Sequence, residues 1–196
     1  NIIIDGYAES GSTRRLTWKT TNAALYTCNP IIIVGSSNNI IVKNSNIIHE
    51  GKVSLGGNNV YGVGIRLRNV SSNNYVPTNI TIENCDITVT TATLGNGISV
   101  FSSTSPTVNV TGLVIKDNTI SSSNSGIMFY YCDSPIISGN TISVNQTSAD
   151  YMSCGIVGMG YNTGSIVVAN NKLISLITGA TTGTNAGNTD GYGIRG

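Results

Sequence analysis

Chemistry in this chain would have to come from a small supply of residues. Among 196 residues there are nine acids, ten Lys or Arg, one His and four Cys. Paired carboxylates about 5 to 9.5 Å apart would suit glycoside hydrolysis. Several Asp or Glu oxygens on one face would suit Ca²⁺. Of the acids, Glu83 and Asp86 lie near one polar kink of the chain and Asp117 near the next. His49, followed by Glu50, is the single candidate general base of its type. Alone after an apolar run, it reads more simply as a surface residue or one satisfied in place. Cys28, Cys85, Cys132 and Cys154 include no CxxC pair and no Cys/His cluster, so the spacing does not indicate a metal site. Arg14-Arg15 and the pair Arg66/Arg68 could hold an anionic sugar or a partner's carboxylate. Solvated charge that keeps a sheet soluble is the plainer reading.

What could position these residues is a repeat. Leu113-Val-Ile-Lys-Asp-Asn-Thr-Ile120 and Pro135-Ile-Ile-Ser-Gly-Asn-Thr-Ile142 share one pattern: an apolar alternation, a polar kink, one more apolar residue. It recurs at 39–47, 79–87 and 165–173. A second strand type starts with Gly-Ile at 64, 97, 126, 155 and 193, a period of 29 to 38 residues. Helical arrays have such periods too. Here no window has the 3.6-residue spacing of an amphipathic helix, and period-2 runs recur throughout. Ile, Val and Thr crowd the runs while Gly, Asn and Ser crowd the gaps.

Strands this short bury little alone, so they must stack, each rung about 4.8 Å from the next. Equivalent residues then form columns. Three inward columns are expected: Val42, Ile82, Ile115, Ile137, Val168; then Ile47, Ile87, Ile120, Ile142, Leu173; then Ile65, Ile98, Ile127, Ile156, with Leu67, Val100 and Phe129 alongside. A kink column of Ser45, Cys85, Asn118, Asn140 and Asn171 would hydrogen-bond up the axis, its Asn residues tolerating a left-handed backbone. In this register Cys132 and Cys154 sit on adjacent rungs at opposite strand ends, and Cys28 is four rungs from Cys154. Thiols, mostly buried, are expected rather than disulfides. Trp18 is expected to close a gap in or near the core.

On these motifs the chain resembles the right-handed parallel β-helix of the pectate-lyase-like superfamily. The resemblance spans nearly all of it and implies an all-β, three-sheet solenoid of about six rungs. The kink would lie between the second and third sheets. The opening Ile2-Ile-Ile-Asp-Gly6 and Arg15-Leu-Thr-Trp-Lys-Thr-Thr-Asn22 are similar to an entry rung of large secreted surface proteins of Bacteroidota. That similarity implies export by their outer-membrane secretion route and a role in adhesion or gliding. Enzymes of the superfamily place acids on the first sheet. Here the outward first-sheet positions read Arg66, Arg68, Ser99, Phe101, Met128, Tyr130, Val157, Met159 and Arg195, none acidic.

Two faces remain as candidates. Phe101, Tyr130 and Met159, flanked by Arg66, Arg68 and Arg195, would form a stripe able to stack on sugars or lie under a partner. Cover by a loop is the competing reading. On the second sheet Ile41, Thr81, Val114, Ile136 and Val167 would face outward, as strand formers or as a docking stripe. Glu83 between Lys43 and Lys116 reads as surface ion pairing worth at most about 1 kcal/mol per pair. The sequons at Asn69, Asn79, Asn109 and Asn145 are what this composition produces by chance.

Charged residues are 10% and net charge is +1, so no field favours nucleic acid or an anionic membrane. No apolar run approaches the roughly 20 residues of a membrane helix. Residues 1–196 are expected to be a single β-helix domain. Neither end carries a cap over its strand edges, so a piece of a longer chain is expected. Loops at 50–62, 69–78, 145–153 and 177–191 would carry binding if loops do. The reading is therefore a non-catalytic scaffold segment of a secreted or cell-surface, adhesin-like protein. It would need no cofactor or metal and would contact a polysaccharide or a surface protein. The alternatives are a polysaccharide lyase or hydrolase with its active groups in other rungs, and a tailspike-like fibre.

Overall fold

The computed structural model describes residues 1–7, 16–21, 29–50, 61–68, 75–90, 94–101, 108–146, 154–177 and 192–195. Among them the chain is all β and forms a right-handed parallel β-helix. The first sheet holds Ile31–Val34, Tyr61–Arg68, Leu94–Phe101, Ser125–Tyr130, Cys154–Met159 and Tyr192–Arg195. The second holds Ile2–Asp5, Asn38–Lys43, Thr78–Glu83, Val114–Lys116, Ile136–Ser138 and Val167–Ala169. The third holds Thr17–Thr20, Asn46–His49, Asp86–Val89, Thr119–Ser122, Thr141–Gln146 and Lys172–Ile177. Within each sheet, neighbours are the equivalent strands of successive rungs, and all pair in parallel. A fourth, two-stranded sheet, Val110–Thr111 with Cys132–Asp133, was not foreseen; two residues are too few to show a period.

The expected columns are the observed ones. Val42 pairs with Ile82, Ile82 with Ile115, Ile115 with Ile137, and Ile137 with Val168. Ile47, Ile87, Ile120, Ile142 and Leu173 form the second file, with Trp18 beneath Ile47. Ile65, Ile98, Ile127 and Ile156 form the third. All but Trp18, Val168 and Leu173 are at most 1% exposed, and these three, at the ends of their files, pack against the core partly buried. Burying each Ile contributes roughly 1.5 to 3 kcal/mol.

Glycine at the start of the first-sheet strands is demanded by packing. A Cβ on Gly64 would sit 2.6 Å from Ile87 Cγ2 and 2.8 Å from the Gly97 carbonyl oxygen. A Cβ on Gly97 or Gly126 would meet Ile120 or Ile142 in the same way, and the carbonyl of the next glycine. The glycine file thus lets the isoleucines of the third sheet reach the back of the first.

The kink corrects one expectation. The stacked file Ser45, Cys85, Asn118, Asn140, Asn171 is present, but the left-handed backbone belongs to the residue before each of them. Asn44, Asn84, Asp117, Gly139 and Asn170 have φ of 55°, 49°, 55°, 67° and 54°. A short polar side chain or none at all lowers the cost of that region. The corner between the first and second sheets repeats the device at Asn39, Asn79, Gly112, Ser134 and Gly164.

Inside the kink, Asn118 Nδ2 donates to the Ile82 carbonyl (3.0 Å) and its Oδ1 accepts from the Cys85 amide (2.9 Å). One rung on, Asn140 Nδ2 donates to the Ile115 carbonyl (3.0 Å) and its Oδ1 accepts from the Asn118 amide (3.0 Å). Asn171 does the same to the Ile137 carbonyl (2.9 Å) and the Asn140 amide (3.0 Å). Each amide therefore satisfies one donor and one acceptor of the rung before it, which a buried backbone requires.

Candidate functional site

The second sheet presents three files outward. Its central file is Ile3, Ile41, Thr81, Val114, Ile136 and Val167. Ile3, Ile136 and Val167 are exposed, and Ile41, Thr81 and Val114 are half-buried. A shallow groove of about 410 Å³ lies along one end, lined by Asn1, Ile3, Asn39, Ile41, Asn79, Thr81 and Gly112. On its asparagine side, Asn79 Nδ2 donates to Asn38 Oδ1 at 3.0 Å.

Along the other side runs a file of charge: Asp5, Lys43, Glu83, Lys116. Lys43 Nζ lies 3.0 Å from Asp5 and Lys116 Nζ 2.9 Å from Glu83. The ladder read from Lys43, Glu83 and Lys116 is there, extended one charge downward by Asp5. The Asn44 amide, the Tyr7 backbone N–H and Lys43 lower the Asp5 carboxyl to about 2. Glu83 raises the Lys116 ammonium above its ordinary value. Because Asp5 has a folded value below its unfolded one, its contribution to stability is present above about pH 4 and lost as pH falls towards 2. The stability difference between the native chain and Asp5→Asn should be constant from pH 7 to about 4 and shrink below it. Acid-limb unfolding curves check this; a difference that persists unchanged at pH 2 would contradict it.

The first sheet's outer face is more covered than alternation suggests. Ser99 and Val157 were expected to face solvent, but they are 4% and 3% exposed. Arg66, half-buried, pairs with Ser99, and its Nε is buried with no hydrogen-bond partner among the described residues. Burial, then the like charge of Arg68, pulls its guanidinium below the ordinary value. Arg68 is exposed and pairs with Phe101. Ile32 and Val34, on the strand below, are exposed too. Tyr130 is half-buried and pairs with Met159, which is exposed; the Tyr130 hydroxyl donates to Met159 Sδ at 2.9 Å. Phe101 is one step past Val100 in its strand, as Tyr130 is one step past Phe129, and Val100 pairs with Phe129. Phe101 and Arg195 end strands, and their side chains lie outside the described residues, as do Arg14, Arg15 and Cys28. The loop segments 51–60, 69–74, 147–153 and 178–191 lie outside them too.

Beside Tyr130, two tyrosines escaped the sequence reading. Tyr131 and Tyr161 stack with ring centroids 5.4 Å apart and planes 14° from parallel. Both have a left-handed backbone, φ 53° and 48°, which is uncommon for a bulky residue. Asn109 Nδ2 donates to Thr163 Oγ1 (2.7 Å) at the same corner. No turn signal marks an aromatic residue, so only geometry could find this pair.

The remaining chemical candidates among the described residues are buried. His49 is not a surface residue: it is 5% exposed, in the inward row between Thr20 and Val89. Cys85, Cys132 and Cys154 are buried thiols. Burial pushes the Cys132 thiol up to about 12. Trp18 packs against the core, as expected. Among the described residues, no three His, Cys, Asp or Glu cluster as metal ligands would. No described helix is long and apolar enough to cross a membrane. No protein-family model, curated protein or solved structure matches this chain.

Proposed function

We propose that this chain is a rigid β-helical scaffold of a secreted or cell-surface, adhesin-like protein, which binds rather than catalyses. The carrying observation is where its charges go. Asp5 with Lys43 and Glu83 with Lys116 join equivalent positions of successive rungs, and Lys19 pairs with Glu50 at 2.8 Å. Carboxylates set in such pairs brace a surface along the axis. A catalytic pair would instead flank one scissile bond. The resemblance to the pectate-lyase-like superfamily and to Bacteroidota surface proteins supports the same placement outside the cell.

The glycan-contacting face in this reading is the first sheet around Tyr130 and Met159, with Arg66 and Arg68 beside it and Phe101 and Arg195 at the strand ends. A half-buried Tyr held by its hydroxyl offers a ring of fixed orientation, suited to stacking on a sugar ring. Titration with neutral and uronic-acid oligosaccharides tests it. Tyr130→Ala should weaken the bound sugar about tenfold, equivalent to roughly 1.4 kcal/mol. Unchanged affinity would remove the face from the proposal. Steady release of shortened or unsaturated sugars by the native chain would overturn the non-catalytic reading.

A further inference from the structure

The outer face of the second sheet matches itself under a two-fold rotation. From one end to the other its charge file reads Asp5, Lys43, Glu83, Lys116: negative, positive, negative, positive. Turn a second copy over about an axis parallel to the strands, so that the helices run antiparallel and the two faces meet. Its file then reads positive, negative, positive, negative. Asp5 comes opposite the second copy's Lys116, and Lys43 opposite its Glu83. Both relations occur twice, as a two-fold interface requires. The same rotation lays the apolar file on its own image, Ile41 against Thr81 and Ile3 against Val114. The four charged side chains keep 26% to 42% of their surface exposed, so they are within reach of a partner. A parallel face-to-face arrangement would carry the charge file across to the asparagine side of the other copy and leave its charges without opposite partners.

We propose that this face is an interface with a second copy of this chain, paired antiparallel. In this alignment the four strands from Ile2–Asp5 to Val114–Lys116 overlap; about 4.8 Å apart and up to four residues wide, they present about 250 Å² per copy. That is below the area of a stable dimer. The pairing is therefore weak and reversible, and effective where many copies are held close together. It is separate from the glycan reading of the first sheet, and either can fail without the other.

The test is a charge exchange. The variant D5K/K43E/E83K/K116E keeps alternating neighbours along its own axis and remains complementary to itself. Against the native chain it sets like charge on like at all four positions. Sedimentation up to about 1 mM, where interfaces this small associate, should show each chain pairing with itself. Mixtures of the two, one of them fluorescently tagged, should show at least tenfold weaker cross-pairing. A second variant, E83K/K116E, keeps both axial ion pairs but reads negative, positive, positive, negative; reversed, it is the same, so in the native register every contact is like on like and self-pairing should be at least tenfold weaker than that of the native chain. Its helical rungs can be checked by circular dichroism. A native chain that stays monomeric, cross-pairing as strong as self-pairing, or undiminished pairing of E83K/K116E would each overturn the proposal.

Discussion

Asn140→Ala is expected to lower the unfolding free energy by about 3 to 5 kcal/mol, the cost of taking their side-chain partner from the buried Asn118 N–H, the Ile115 carbonyl and the amides stacked on either side. Asn140 is fully buried. Its Nδ2 donates to the carbonyls of Ile115 and Ser138 and to Asn171 Oδ1, at 3.0, 3.1 and 2.9 Å. Its Oδ1 accepts from the backbone amide and the side-chain amide of Asn118. Alanine removes every one of these and leaves a gap too enclosed for water to mend fully. Asn171→Ala should cost less, about 1 kcal/mol, because Asn171 is only half-buried in the last kink. Urea unfolding of both variants gives the comparison. Equal, small losses would mean that the amide file is ornament on a fold held by isoleucine alone.

Gly126→Ala should cost about 3 kcal/mol, the upper end for overfilling a packed core. The added methyl would collide with Ile142 Cγ2 and with the Gly155 carbonyl. Neither can give way. The isoleucine is fully buried in its file, and the carbonyl belongs to a backbone hydrogen-bonded on both sides. Gly160→Ala is the informative contrast. Nothing lies within 4 Å of a Cβ there, but φ is +46°. It should cost about 1 kcal/mol through backbone conformation alone. Thermal unfolding of the two separates steric from conformational need; the reverse order would contradict the packing described for the glycine file.

Much of this was readable before any coordinates, for a physical reason. A β-helix converts sequence period into vertical contact, so Ile82, Ile115 and Ile137 announce one another by offset. The misreadings share a cause too. Asn170 and Asn171 are both able to adopt the left-handed region, and adjacency cannot say which does. The structure gives it to Asn170 and sends the side chain of Asn171 inward. Alternation tells which side of a sheet a residue takes but not what lies over it; hence Ser99 and Val157 were misplaced as open surface. Of the two readings of His49, the surface one fails, because the residue completes the inward row at the end of its strand. The Gly-Ile starts were recognised as markers, while their cause, the methyl groups of the opposite sheet, is a contact between distant segments. The tyrosine stack of Tyr131 and Tyr161 and the two-residue strands carry no periodic signal.

Everything proposed for the faces depends on successive rungs lying in register. Scalar couplings across hydrogen bonds, measured by NMR on labelled protein, report it directly. The backbone nitrogens of Cys85, Asn118 and Asn140 should couple to the side-chain carbonyl carbons of Asn118, Asn140 and Asn171 respectively. Couplings of those nitrogens to other carbonyls, or none at all in a well-folded sample, would contradict the stacked register and every outward file read from it.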